Sequence, residues 1–176
     1  MFNIKTNNNF LEKKILELFI QKGLRINQNN HYNSSGLIEL NFNNSFLKLK
    51  FENQKVEVKY PINFSSLWHN IFYLLVDHKV SFGQLDYFPM KELISHQNIE
   101  IKLTHTQNLI IQNILQMKNQ KISKIDLYKN IWPNDVDTHI NKLDTHLTNL
   151  KNMLLQKFGY NLQFNSSAGV LTFLIN

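Results

Sequence analysis

The chain has no cysteine among its 176 residues. That excludes disulfides, thiolate nucleophiles, zinc–thiolate sites and thiol redox switching. Of its 19 Lys and Arg residues, only Arg25 is an arginine. No apolar run approaches the ~18 residues that a membrane span needs. Residues 1–10 also lack the charged and apolar regions of a signal peptide. A cytoplasmic chain with no membrane partner is expected.

The usual signatures of catalysis are missing too. The sequence has no HExxH, no P-loop and no Gly-rich nucleotide fingerprint. Its seven histidines are His31, His69, His78, His96, His105, His139 and His146. The last two share a helix but lie about two turns apart, too far for a tight metal pair. Asp135, Asp137 and Asp144 lack the spacing and terminal Glu of a calcium loop. The chain therefore reads as a non-enzyme without metal or cofactor.

What is present is a basic globular sequence, 43% hydrophobic and 18% charged, with a formal net charge of +6. The charge is compatible with a polyanionic partner. It is evenly spread: residues 1–99 carry 11 basic and 8 acidic groups, and residues 100–176 carry 8 and 5. Binding must then rest on a local surface, not on a basic tail.

The hydrophobic period changes along the chain. Residues 2–6 alternate as a short strand. Phe10 to Gly23 reads as an amphipathic helix, with Phe10, Leu11, Ile15, Leu18 and Phe19 on one face. Arg25 to Ser35 is polar and turn-like. Gly36 to Lys59 holds three alternating runs, LIELNF, FLKLKF and KVEVKY, each a half-buried strand. Phe64 to Asp77 is a second, very apolar helix. Then VSFGQLDYF, KELIS and IEIKLT read as short strands. Thr104 opens a helix to about Met117, Ser123 caps another through Trp132, and Thr138 to Phe158 is the longest. Leu162–Phe164 and Val170–Ile175 form a hairpin with Asn165 to Gly169 at its tip.

The longest helix is divided lengthwise. Ile140, Leu143, Leu147, Leu150 and Leu154 repeat at 3-4-3-4 spacing and form one apolar stripe. Lys142, Thr145, Asn149, Asn152 and Gln156 lie opposite. A helix in a major groove needs one side anchored and the other able to exchange hydrogen bonds with base edges. Asn and Gln can bond adenine in a bidentate way, and Thr can touch a thymine methyl. Lys142 and Lys151 would neutralise phosphates. The same pattern also describes a solvated helix face or a coiled-coil seam.

Over Val80 to Phe173 the sequence resembles the DNA-binding domain of OmpR/PhoB-type response regulators. Leu103-Thr104-His105-Thr106-Gln107, leading to Ile110, Ile111 and Ile114, is similar to the opening of that family's first helix, with Gln107 where the family has Glu. Ile122-Ser123, Leu127 and Ile131-Trp132 resemble the second. Lys142-Leu143-Asp144-Thr145-His146-Leu147, then Leu150-Lys151, resembles the recognition helix. Phe82-Gly83-Gln84-Leu85 through Leu93 to Leu103 looks like the family's small leading sheet. The resemblance implies a winged helix-turn-helix that contacts double-stranded DNA through Trp132, Asn141, Lys142, Thr145, Thr148, Asn149, Lys151, Asn152, Ser166 and Ser167. The sequence departs from the family where arginines are usual, holding Thr148, Asn149 and Lys151. It has Ser167-Ala168-Gly169-Val170 in place of the wing's Gly-x-Gly-Tyr. Weaker binding, tilted toward A·T-rich DNA, is expected.

Residues 1–23 more faintly resemble the start of a receiver domain. The family's acidic pair falls on Asn7 and Asn8, and its phosphoacceptor on Asn41, within Leu37-Ile38-Glu39-Leu40-Asn41. An amide is neutral and forms no acyl phosphate. The family's Lys-Pro appears as Lys59-Tyr60-Pro61, and one or two strand–helix units are missing. On the second helix, Trp68, Phe72 and Tyr73 lie on a face that the resemblance implies in homodimer contacts; the alternative is that they fill the domain's own core.

The expected fold is α+β. A small α/β pseudo-receiver over residues 1–78 precedes a winged helix-turn-helix with its leading antiparallel sheet over residues 79–176. The expected function is a phosphorylation-independent, DNA-binding transcriptional regulator. The rival is an adaptor whose winged helix docks on a protein such as RNA polymerase.

Overall fold

A computed structural model of the chain describes residues 3–21, 37–42, 46–59, 62–117 and 120–174. The fold is α+β, with five helices and three sheets among these residues. It divides into two compact units, Met1–Val80 with Phe88–Lys91, and Ser81–Tyr87 with Glu92–Asn176. The turn-like stretch expected over residues 25–35 and the Lys-Pro-like step at 60–61 lie outside the described residues, as does the expected helix end at 22–23.

The first unit runs β1 (Asn3–Thr6), α1 (Asn9–Gln21), β2 (Leu37–Phe42), β3 (Phe46–Phe51), β4 (Gln54–Lys59) and α2 (Phe64–Leu75). Its sheet has the order β1-β2-β3-β4. β1 and β2 are parallel, a pairing that needs a crossover, and α1 lies in that connection. β2, β3 and β4 are antiparallel neighbours. Three residues join β2 to β3 and two join β3 to β4, lengths that close hairpins but cannot hold a helix.

Strand alternation sends Ile38, Leu40, Leu47 and Leu49 to one face. There they share a single buried cluster with Ile15 and Phe19 of α1 and Leu67, Ile71, Leu74 and Leu75 of α2. Both helices thus cover the same face. The other carries Lys48 and Lys50, ion-paired across the strands with Glu57 (3.3 Å) and Glu39 (3.2 Å). A receiver sheet is parallel and covered by helices on both faces. Beyond the β1–α1–β2 step, this unit departs from that plan. Asn63 caps α2, its side-chain oxygen accepting from Ser66 N–H at 2.7 Å.

The chain continues with β5 (Val80–Phe82), β6 (Leu85–Phe88), β7 (Leu93–His96) and β8 (Ile99–Lys102), neighbours in that order in one sheet. VSFGQLDYF is two strands, not one. Gly83, at φ +61°, lies in the two-residue turn between them. Next come α3 (His105–Gln116), β9 (Lys121–Ser123), α4 (Lys124–Ile131), α5 (Ile140–Phe158), β10 (Gln163–Ser167) and β11 (Val170–Leu174).

Thr104 and Gln107 form a reciprocal capping box at the start of α3: Gln107 N–H donates to the Thr104 hydroxyl (3.3 Å) and Thr104 N–H to the Gln107 side chain (2.9 Å). Gln107 thus supplies the reciprocal partner that a capping box takes from Glu or Gln. The buried face of α3 is more polar than its isoleucines imply, because Asn108, Gln112 and Asn113 are buried as well. They are satisfied, not stranded. The Tyr87 hydroxyl donates to Asn108, whose amide donates to Glu92 (3.3 Å), and Asn130 donates to Asn113 (3.0 Å). Burial pushes the Tyr87 hydroxyl far above its usual pKa.

β9 is not visible in the sequence pattern. It pairs antiparallel with β11, Ile122 opposite Leu171, and gives a three-stranded sheet ordered β10-β11-β9. The first hairpin arm is longer than the sequence predicts and the turn is shorter. Asn165, Ser166 and Ser167 belong to β10, and only Ala168 and Gly169 turn, both at positive φ (49° and 76°). That pair of angles matches the twist of the flanking strands.

α5 packs against α3 and α4. Leu143, Leu147, Leu150 and Leu154 are fully buried, and Phe158 nearly so. Gly159 ends the helix in the left-handed conformation (φ +66°), with its N–H donating to Leu155 O (2.9 Å). Leu147→Ala should cost about 2–5 kcal/mol of stability. Asn149→Ala, on the exposed side, should change stability by no more than about 0.5 kcal/mol. Urea unfolding of the two variants checks the division of the helix.

Candidate nucleic-acid interface

α5 presents a polar outer face because its apolar stripe is consumed by the core. Asn141, Thr145, Thr148, Asn149, Asn152 and Gln156 are all exposed. These groups are neutral donors and acceptors, able to exchange hydrogen bonds with base edges. One of them is partly committed: the Thr145 hydroxyl donates back to Asn141 O at 2.8 Å, which leaves its methyl as the free end.

The lysines expected to meet phosphates are not equivalent. Lys142 is half-buried and points along its own fold. Its ammonium donates to Asp135 (2.9 Å) and lies 4.2 Å from the Trp132 ring centroid. Trp132 is itself half-buried, packed on Tyr128 (4.7 Å between centroids) and His146 (5.4 Å). So Trp132 and Lys142, expected as independent phosphate contacts, form one assembly with Asp135. A cation over a ring contributes about 0.5–1 kcal/mol at exposed sites. Lys151 has no carboxylate partner among the described residues, and its ammonium lies 5.9 Å from the Phe164 ring of β10. It remains available to an outside anion.

Sequence reasoning missed Lys124. Its ammonium is held by both oxygens of Asp144 (2.7 and 3.0 Å), tying the first residue of α4 to α5. Its backbone N–H donates to Gly169 O (2.8 Å), tying the same residue to the hairpin turn. Only the Lys-Ile-Asp opening of α4 hinted at this, and nothing in it specified the partners. One residue thereby fixes α4, α5 and the turn relative to one another. Ser166 and Ser167 are exposed on β10, next to that turn.

Between α4 and α5 the chain is exposed from Pro133 to His139. Val136 is 98% exposed, an apolar side chain between Asp135 and Asp137. Asp135 is anchored, accepting from the Tyr128 hydroxyl (2.6 Å) and Lys142. The Tyr128 hydrogen bond, then that of Lys142, holds its carboxyl below the ordinary value. Burial, then the hydrogen bond to Asp135, pushes the Tyr128 hydroxyl up.

In the first unit, the register Thr6↔Leu40 places Asn7 and Asn41 at the same end of the parallel pair, with Asn8 one residue on. All three are exposed. The expected amide cluster is thus brought to one sheet end. Of the three aromatic candidates on α2, Trp68 and Phe72 pack partly buried against the unit's own core, Trp68 edge-on to Phe19 at 5.8 Å. Tyr73 alone of these is largely exposed, at 67%. Among the described residues no three His, Asp or Glu side chains gather as metal ligands, and no helix is long and apolar enough to cross a membrane.

Asp135 provides a pH test of the loop anchor. A lowered carboxyl pKa stabilises the fold above the unfolded value, near 3.8, and the contribution fades as pH falls through the lower folded value. Asp135→Asn should therefore melt below the parent protein at neutral pH, with the gap closing once pH drops under that value. Thermal unfolding across pH measures it; a gap that stays constant would contradict the link.

Among solved structures, the chain is similar to the DNA-binding domain of E. coli CadC, at 12% sequence identity and a TM-score of 0.48. The match covers 55% of this chain and 91% of that one. No protein-family model matches the chain, and no curated protein matches it.

Proposed function

We propose that the chain is a DNA-binding transcriptional regulator of the OmpR/PhoB type that acts without phosphorylation. Its second unit is read as a winged helix: α3, α4 and α5 form the helical body, α5 is the recognition helix, and the β10–β11 hairpin is the wing. The observation that carries this reading is the division of α5. One side is fully buried in the core, and the other offers an unbroken row of amides and hydroxyls beside a hairpin whose position is fixed.

DNA backbone contacts fall on Lys151, Ser166, Ser167 and the Trp132 side of α4, with Asn141, Thr148, Asn149 and Asn152 facing base edges. Fluorescence anisotropy with labelled duplex tests this directly. Binding should weaken with salt by about 0.9 log units in K per log unit of salt for each phosphate neutralised. Lys151→Glu should lower affinity on any sequence and flatten that slope by about one contact. No detectable binding at low salt would sink the reading.

In this reading the first unit receives no phosphate, because Asn7, Asn8 and Asn41 replace the carboxylates that such chemistry needs. Incubation with acetyl phosphate and Mg²⁺ should leave the intact mass unchanged; stoichiometric labelling would overturn the point. The first unit instead joins two copies of the chain, and Tyr73 is the residue of α2 best exposed for that contact.

A second reading draws on two observations. Lys142 and Lys124 already carry carboxylate partners, which lowers the free positive charge beside the α5 face, and Val136 stands fully exposed in the loop before it. Both favour an adaptor that docks on a protein such as RNA polymerase. Undetectable DNA binding together with a partner lost on Val136→Asp would select this alternative.

A further inference from the structure

We infer that the outer face of α5 reads A·T base pairs in the major groove, through the adenine N6/N7 edge and the thymine C5 methyl. The inference rests on the DNA-binding reading and specifies its substrate. Asn141, Thr145, Thr148, Asn149 and Asn152 fall within about 100° of the helix circumference at 100° per residue. Residues on such an arc face the same side of the helix.

The chemistry along this arc is one-sided. A bidentate guanine contact needs two donors from Arg or Lys to O6 and N7. The arc holds neither. The chain's one arginine, Arg25, is not part of α5. Lys142, at the margin of the arc, is held by Asp135 at 2.9 Å and by the Trp132 ring. Lys124 is held by both oxygens of Asp144. Asparagine matches adenine: its amide N–H donates to N7 while its oxygen accepts from the N6 amino group. Asn149 and Asn152 are exposed for that contact. Thr145 has already given its hydroxyl hydrogen to Asn141 O, so its outward methyl suits apolar contact with a thymine methyl.

The test starts from the full chain and a pool of duplexes with a randomised core. Bound duplexes should be enriched in A·T pairs at defined positions. Within a selected site, changing a read A·T pair to G·C should lower affinity about tenfold, within a range of roughly 5–150-fold. Replacing the read adenine by 7-deazaadenine removes the N7 acceptor without altering base pairing, and should give a similar loss. That loss should vanish in Asn149→Ala, as a coupled pair requires. Uracil for thymine should weaken the parent protein but not Thr145→Ser, which keeps the hydroxyl and lacks the methyl. Asn149→Arg should move the preference at its position toward guanine. Salt-dependent binding with no base preference would overturn this inference and leave the DNA-binding reading standing. An A·T preference insensitive to 7-deazaadenine and uracil would overturn it too, because groove shape would then be the signal. No binding at low salt to any duplex would remove both readings.

Discussion

The second unit depends on the burial of one stripe of α5. Leu143, Leu147, Leu150, Leu154 and Phe158 leave water together, at about 1.5–3 kcal/mol for each fully buried side chain. Against a net stability of about 5–15 kcal/mol for a typical domain, no other segment of the unit contributes so much through one periodic pattern. Burial on one side dictates exposure on the other. The amide row is therefore placed by hydrophobic packing, not by any interaction of its own. The stripe also sets where the helix stops: Gly159 turns the chain, and Tyr160 and Leu162 are buried directly after it, which delivers β10 beside α5.

Electrostatics then work inside the frame that packing builds. Lys124 joins α4 to Asp144 of α5 and to the hairpin turn, and Asp135 joins Tyr128 of α4 to Lys142 of α5. Both links join elements that the leucine stripe already holds close. Each also removes a positive charge from the surface at which a polyanion would arrive. Rigidity and charge are thus in competition here. Under the DNA-binding reading, a surface with fewer free cations gains less affinity from the phosphate backbone and leans more on contacts to bases.

The parts of this architecture that were legible in the sequence are those determined within one segment. The α5 stripe declares itself over 19 consecutive residues, and Thr104 with Gln107 announces the start of α3 three residues apart. β9 was hidden because three residues, Lys-Ile-Ser, become a strand only by pairing with Val170–Thr172, far along the chain. The buried amides Asn108, Gln112 and Asn113 were hidden for a related reason: they are tolerable in a core only because Tyr87, Glu92 and Asn130 arrive to satisfy them. Lys142 looked free because its partners, Asp135 and Trp132, lie in the preceding loop and helix. In the first unit, the gaps after Phe42 and Phe51 are too short for the crossovers of a parallel receiver sheet, so the strands on either side pair antiparallel.

Among the described residues, helices cover one face of the first unit's sheet, and this bears on how the chain behaves in a crowd. An uncovered sheet face and its outer strands are natural templates for other chains. Here that face is laced with Lys48–Glu57 and Lys50–Glu39 pairs, and the edge strand β4 carries Lys55 and Lys59. A foreign strand that docked along β4 would have to accommodate those ammonium groups. β10, the outer strand of the hairpin sheet, has the sequence Gln-Phe-Asn-Ser-Ser and no charge at all. Of the two edges, the lysine-bearing one is guarded against self-association. The β10 edge, beside the proposed recognition helix, has no such guard.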